Sequence, residues 1–181
     1  MRNADGFADL SIPHTYSESV VSATPLAIAS PSTVTQSDDN TIALPLPFTF
    51  NFWGIDYSGT AYLNMNGFLR FQNGTPGSPW FPPSYPNGTY TNTLAINHTD
   101  MSPNNGGLIT YGTNGVSPNR VFIIQYDTVP FYSGSGTASF QLQLHETTNE
   151  IRIITTNFNP SFGTRRTDLG VSSNISARSL G

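Results

Sequence analysis

The chain has 181 residues, a formal net charge of −4 and only 10% charged residues. It contains no cysteine, so disulfide bonds and thiolate metal sites are excluded, and all seven basic residues are arginine. A chain of this length fits one domain, its sparse positive charge offers no surface for nucleic acid, and no apolar run is long enough to span a membrane.

The first 40 residues are rich in Ser, Thr, Pro and Ala and show little apolar periodicity. Such a segment cannot bury enough apolar surface to order by itself. We therefore predict an extended N-terminal arm over residues 1–40 and a β-sandwich domain over residues 41–181 that folds without it. The chain starts at Met1 with no stretch of signal-peptide length, and we take it as a complete gene product whose arm is held by neighbouring copies.

The strongest pattern lies between residues 41 and 52, where every second side chain is apolar. Period two indicates one buried face of an extended strand. Pro45 and Pro47 fall in the opposite phase. Because proline has no N–H to donate, the start of this strand is predicted at a sheet edge.

Short strands and turn residues alternate through the rest of the chain. Asn66-Gly67 is typical of a hairpin turn, and a second hairpin is predicted from Phe140 to Ile153. Further strands are predicted at residues 61–65, 68–71, 94–96, 108–111, 121–129 and 169–171. No segment has a capped helical period, so the sequence predicts an all-β fold, an antiparallel two-sheet sandwich of jelly-roll-like type.

The apolar phases of these strands predict the core of the sandwich. The side chains expected to be largely buried are Phe48, Phe50, Phe52, Leu63, Phe122, Ile124, Phe140, Leu142, Leu144 and Ile153.

A long loop over residues 74–92 is the best candidate for ligand binding. It interleaves the aromatic residues Trp80, Phe81, Tyr85 and Tyr90 with prolines and glycines and has no period. Aromatic rings held by proline can stack on sugar rings or fill a partner's pocket. The alternative is that Trp80 and Phe81 fold back and cap the end of the sandwich, and the sequence does not decide between the two.

Several acidic residues have the chemistry of a metal site. Asp38-Asp39-Asn40 and Asp100 offer the hard oxygen ligands that calcium prefers, and His98 lies two positions before Asp100, on the same strand face. An Asx-type turn and a polar loop edge explain the same residues. We therefore predict no metal site.

Catalytic patterns are weak. Asp127 and Glu146 lie on strands that could be neighbours, as a carboxylate pair for hydrolysis would require, but nothing indicates a cleft between them. No Gly-x-Ser-x-Gly elbow is present to activate a serine. We expect no catalytic residue and no cofactor, and hence no enzyme.

The order of several motifs resembles a known family. The motifs are FTFNFWGIDY at Phe48–Tyr57, LNMNGFLRF at Leu63–Phe71, the stretch Gly106–Tyr132, FQLQLHETTNEIRI at Phe140–Ile153 and DLGVSSN at Asp168–Asn174. Together they are similar to the β-sandwich domain of large secreted and cell-surface bacterial proteins, distantly related to nidogen-type extracellular domains. The resemblance implies adhesion or scaffolding and no catalytic residues.

The chain departs from that family in its middle strand. Family members often have a tryptophan and paired aspartates there, whereas residues 94–100 of this chain read LAINHTD.

These observations predict a non-enzymatic structural or attachment protein. The first hypothesis is a bacteriophage virion component, for capsid decoration, a fibre or the tail surface, that assembles with its own copies and neighbouring structural proteins through its arm. The alternative is an adhesion or carbohydrate-binding module of a secreted bacterial surface protein, with a cell-surface glycan as partner.

Overall fold

The computed structural model describes residues 22–74, 89–133 and 135–160, with Ser17, Ser19 and Trp80, and gives only the backbone of residues 168–172 and 177–179. Its strands are β1 (Ser32–Thr33), β2 (Thr41–Phe52), β3 (Ile55–Asn64), β4 (Phe68–Arg70), β5 (Thr93–His98), β6 (Leu108–Asn114), β7 (Val121–Pro130), β8 (Thr137–His145), β9 (Ile151–Phe158), β10 (Asp168–Ser172) and β11 (Ala177–Ser179). A single 3₁₀ turn, Pro103–Asn105, is the one helical element in the described part of the chain. No helix in these residues is long and apolar enough to cross a membrane.

The strands form two antiparallel sheets that pack face to face. The first sheet has the order β1-β6-β7-β8-β9, and the second has the order β11-β10-β5-β4-β3-β2. This confirms the predicted all-β sandwich. Within each sheet most neighbouring strands are consecutive, but β1 pairs with β6 and β5 pairs with β10, so the chain crosses from one sheet to the other after β1, β5 and β9.

The inner faces of the two sheets form one hydrophobic core. On β2, Leu44, Leu46, Phe48, Phe50 and Phe52 are all buried, as their period-two spacing predicts. Every other residue of the predicted core is buried except one. Ile153 is only partly buried, because β9 is the last strand of its sheet.

One arginine forms hydrogen bonds to both sheets at one end of the sandwich. Arg120 donates from Nε and Nη2 to the two carboxylate oxygens of Glu146, at 2.8 and 2.7 Å. Its Nη1 donates to the carbonyl oxygen of Pro47 at 2.7 Å, and its guanidinium lies over the ring of Phe48. Since Pro47 belongs to β2 and Glu146 follows β8, this side chain connects the two sheets.

The predicted boundary at residue 41 does not separate the preceding residues from the sandwich. Ser32 and Thr33 pair with Tyr111 and Thr110 of β6, and Val34 is 5% exposed within the core. Residues 22–40 therefore form part of the domain in this structure. Residues 1–16 of the predicted arm lie outside the described residues.

Candidate functional site

Among the described residues, five side chains from distant parts of the sequence line an open cleft of about 270 Å³. We call this the acidic–aromatic cleft, and these lining residues are Asp38, Asp39, Trp80, Asp100 and Tyr132. Asp38 and Asp39 lie on the crossover from β1 to β2, Asp100 follows β5, and Tyr132 follows β7.

A buried asparagine positions two of these segments. Asn66 lies in the turn between β3 and β4 and is fully buried. Its Nδ2 donates to Asp39 Oδ1 at 2.8 Å, and its Oδ1 accepts the backbone N–H of Met101 at 2.8 Å. One side chain therefore fixes Asp39 beside the segment that carries Asp100.

The glycine after Asn66 allows this close approach. Gly67 has a φ of 81°, and a Cβ at this position would lie 2.7 Å from Met101 Cε and 2.8 Å from the carbonyl oxygen of Asn97. No larger residue fits without a backbone shift. The Asn-Gly pair that predicts the hairpin turn is therefore also what holds the cleft together.

Backbone pairing brings Tyr132 to the cleft. Met101 and Phe131 form an isolated antiparallel bridge, and the N–H of Tyr132 donates to the carbonyl oxygen of Asp100 at 3.0 Å. The Tyr132 side chain remains 56% exposed, and that of Trp80 remains 44% exposed. Two large rings thus face solvent beside a nearly buried carboxylate.

The carboxylates of Asp38, Asp39 and Asp100 form a cluster of like charge. One oxygen from each lies within 4.8 Å of the others. Desolvation, together with the charge of Asp39, raises the pKa of the Asp38 carboxyl above its ordinary value. Among the described residues, Asp38 Oδ1 is buried and accepts no hydrogen bond.

This arrangement has two chemical capabilities. Ionised carboxylates accept short, strong hydrogen bonds from hydroxyl groups, and exposed aromatic rings offer flat apolar faces beside them. Three carboxylates at this spacing also supply part of the oxygen shell of a divalent cation, although calcium takes six to eight oxygens and water would have to complete the set.

Of the four aromatic residues predicted for ligand binding, one lines the cleft, one is buried, and two lie outside the described residues. Trp80 lines the cleft, but Tyr90 is 5% exposed and packs against Phe68 and His98. Burial raises the pKa of the Tyr90 hydroxyl to about 12. Phe81 and Tyr85 lie outside the described residues.

The other candidate groupings are not brought together. His98 is fully buried against Phe68, 4.6 Å between ring centroids, while Asp100 lines the cleft. Glu146 pairs with Arg120 beside the first residue of β7, and Asp127 lies near the last. The Asp127–Glu146 pair therefore shares no site.

Sequence reasoning identified the three aspartates as possible oxygen ligands but did not place them with Trp80, and it missed Tyr132. The sequence feature that could have indicated the cleft was the LNMNG motif, because its asparagine and glycine fix the segments that line the cleft.

A family model described as NIDO related matches residues 11–180. The chain belongs to the NIDO-related family. This membership agrees with the nidogen-like resemblance of its motifs, and the match begins well before residue 41, as does the part of the chain that packs in the sandwich. No curated protein and no solved structure matches the chain.

Proposed function

We propose that this chain is a non-enzymatic attachment module that binds a carbohydrate in the acidic–aromatic cleft. The observation that carries the proposal is the juxtaposition of two exposed rings, Trp80 and Tyr132, with three clustered carboxylates. Neither feature alone would identify a ligand class, but a sugar presents both complementary surfaces, an apolar C–H face and a rim of hydroxyl groups.

The chemistry of the cleft suits this ligand. A pyranose ring stacked on Trp80 buries apolar area that the protein now exposes to water. Its hydroxyl groups can donate to the carboxylates that line the cleft. Asp39 is already oriented by Asn66, so little side-chain ordering opposes binding.

The open shape of the cleft predicts weak binding at a single site, which suits an attachment role. It is open, and so it would bury one face of a ligand rather than enclose it. Weak single-site binding becomes strong when many copies act together. The sparse charge of the chain favours such packing of copies, since it gives little electrostatic repulsion between them.

We propose two settings for this activity, the virion surface of a bacteriophage and the surface of a bacterial cell. Membership of the NIDO-related family supports the second, because the resemblance implies an adhesion or scaffolding domain. The packing argument applies to both settings.

Retention of the full chain on a panel of immobilised glycans tests the proposal. We expect retention of a subset of glycans by the parent and by Val116→Ala, which changes a residue 78% exposed and outside the cleft lining. Trp80→Ala should lose it. Parallel runs with calcium and with a chelator separate recognition by the side chains alone from recognition through a bound cation. Retention that survives the chelator supports recognition by the side chains alone, and parent-like retention by Trp80→Ala contradicts the proposal.

A further inference from the structure

The segment before β1 lies across the outer face of the first sheet and is held through its backbone. We call residues 26–30 the docking segment, and Gly112, Asn114 and Gln141, which receive it, the docking track. Gln141 accepts the N–H of Leu26 and donates to its carbonyl oxygen, both at 2.9 Å.

Asn114 repeats the same arrangement further along. Its Oδ1 accepts the N–H of Ala29 at 2.9 Å, and its Nδ2 donates to the carbonyl oxygen of Ala27 at 2.8 Å. Two side-chain amides therefore act as a neighbouring strand would, and they contact only backbone atoms of the segment. Most side chains of the segment face solvent, and Leu26 is 40% exposed.

A glycine lets the segment lie directly on the sheet. A Cβ on Gly112 would lie 2.4 Å from Ile28 Cγ2 and 3.1 Å from the carbonyl oxygen of Ser30. A larger residue at position 112 would have to displace Ile28 and the backbone at Ser30. The glycine thus lets the segment pack closely against β6.

The residues that follow the docking segment make contacts that depend on their side chains. Val34 is buried in the core, and its N–H donates to the carbonyl oxygen of Ile109. Gln36 donates to the carbonyl oxygen of Pro103 and accepts the N–H of Ile109. The same segment of a second copy carries this valine and glutamine at the same distances, and so it remakes these contacts as well.

The four residues that follow form a hinge between the two sheets. Gln36 is fixed to the first sheet, and the carbonyl oxygen of Asn40 accepts the N–H of Met65 in the second. Between them Asp39 has a φ of 56°, a left-handed conformation that aspartate adopts more readily than most L-residues. The carboxylates of Asp38, Asp39 and Asp100 come together at this folded-back hinge, so the repulsion of like charges opposes it.

We propose that the docking track also takes this segment from a second copy of the chain, so that copies exchange residues 22–36. A symmetric exchange remakes every contact of the segment and needs no new interface, while an extended hinge separates the clustered carboxylates. The inference goes beyond carbohydrate binding and does not depend on it.

Deleting Ser37 and Asp38 from the full chain tests the exchange, because a two-residue hinge cannot fold back between the sheets. We expect the sedimentation mass to rise from 19.6 kDa to about twice that value. Asp38→Ala removes the same carboxylate without shortening the hinge and should stay at the monomer mass. Adding Asn114→Ala and Gln141→Ala to the deletion should weaken the dimer, so that it dissociates at a higher protein concentration, whereas Asn119→Ala, which changes an exposed asparagine nearby, should not.

A second measurement keeps the hinge at its natural length. The chain has no cysteine, so single-cysteine variants Thr33→Cys and Thr110→Cys, at positions paired between β1 and β6, can be mixed and oxidised slowly. Because each chain has one thiol, a 33–110 disulfide forms only between copies, and we expect it to exceed that of Thr33→Cys with Val116→Cys. An equal yield from both mixtures, or a dimer of the shortened chain that is equally stable without the track amides, would overturn the proposal.

Discussion

The hydroxyl of Tyr126 donates a hydrogen bond of 2.8 Å to the backbone carbonyl oxygen of Asn64. Tyr126 belongs to β7 in the first sheet and Asn64 to β3 in the second, so this bond crosses the core of the sandwich. The ring is fully buried and stacks on Phe140, with 4.3 Å between centroids. Burial also raises the pKa of the Tyr126 hydroxyl, which keeps it protonated as a donor at every ordinary pH.

Tyr126→Phe should lower the free energy of unfolding by about 1–3 kcal/mol, because the substitution leaves the buried carbonyl oxygen of Asn64 without this donor. The ring and its stacking on Phe140 are kept, so the loss reports the hydrogen bond. Denaturant unfolding of the parent and the variant measures it. Equal midpoints would show that the bond across the sheets contributes nothing.

Truncation in the core should be more costly. Phe50→Ala and Leu142→Ala each remove a fully buried side chain and should lower the free energy of unfolding by about 3–5 and 2–5 kcal/mol respectively. Val116→Ala, at an exposed position, is the matched control. Thermal melting of all three variants is the measurement, and parent-like melting of both core variants would contradict the assigned core.

Local patterns were sufficient to predict the core strands but not the segment before them. The alternation along β2 follows from the burial of one face, so Phe50 could be assigned from its neighbours alone. The two-residue strand at Ser32 has no alternation. Its place depends on pairing with Tyr111 and Thr110 of β6. The residues before it are held by Gln141 and Asn114, which lie far along the chain and bind only backbone atoms, so the sequence of the segment does not predict these contacts.

The cleft could be predicted only in pieces for the same reason. Asp38 and Asp100 could be recognised as possible ligands by their chemistry. Their meeting depends on one bridging asparagine, Asn66, and on the pairing of Met101 with Phe131. Tyr90 shows the converse error, because an aromatic residue in a proline-rich loop cannot be assigned to the surface or the interior from local sequence.

Acid should weaken the link between the sheets at Glu146. The Arg120 guanidinium lowers the pKa of the Glu146 carboxyl to about 2, below its ordinary value of 4.5. A depressed pKa means that the stabilisation is complete above about pH 4.5 and is lost as the pH falls toward 2. Glu146→Gln should therefore be less stable than the parent at neutral pH, and the difference should shrink across this window.

Melting temperatures of both chains between neutral pH and acid provide the comparison. Glu150→Gln is the control, since the Glu150–Arg152 pair is far more exposed and should contribute little. A gap between parent and Glu146→Gln that stays constant from neutral pH to acid would show that the ion pair does not stabilise the fold.

Asp38 should behave in the opposite sense. Its pKa is raised, so the folded state disfavours its charged form, and the parent should gain stability as the pH falls through that pKa. Asp38→Asn removes the charge with little change in shape. We expect a higher melting temperature than the parent at neutral pH and convergence of the two in acid. A lower melting temperature at neutral pH would show that the carboxylate is stabilised by its surroundings.

The most direct test of the proposed function is a calorimetric titration of the full chain with a glycan that it retains. Trp80→Ala and Tyr132→Ala should each weaken binding by about tenfold or more, since each removes a ring face worth about 1.4 kcal/mol to the ligand. Val116→Ala should bind as the parent does, and all three variants should melt like it, because none of these side chains is buried. If both ring variants bind the glycan with the parent's affinity, the acidic–aromatic cleft is not the binding site.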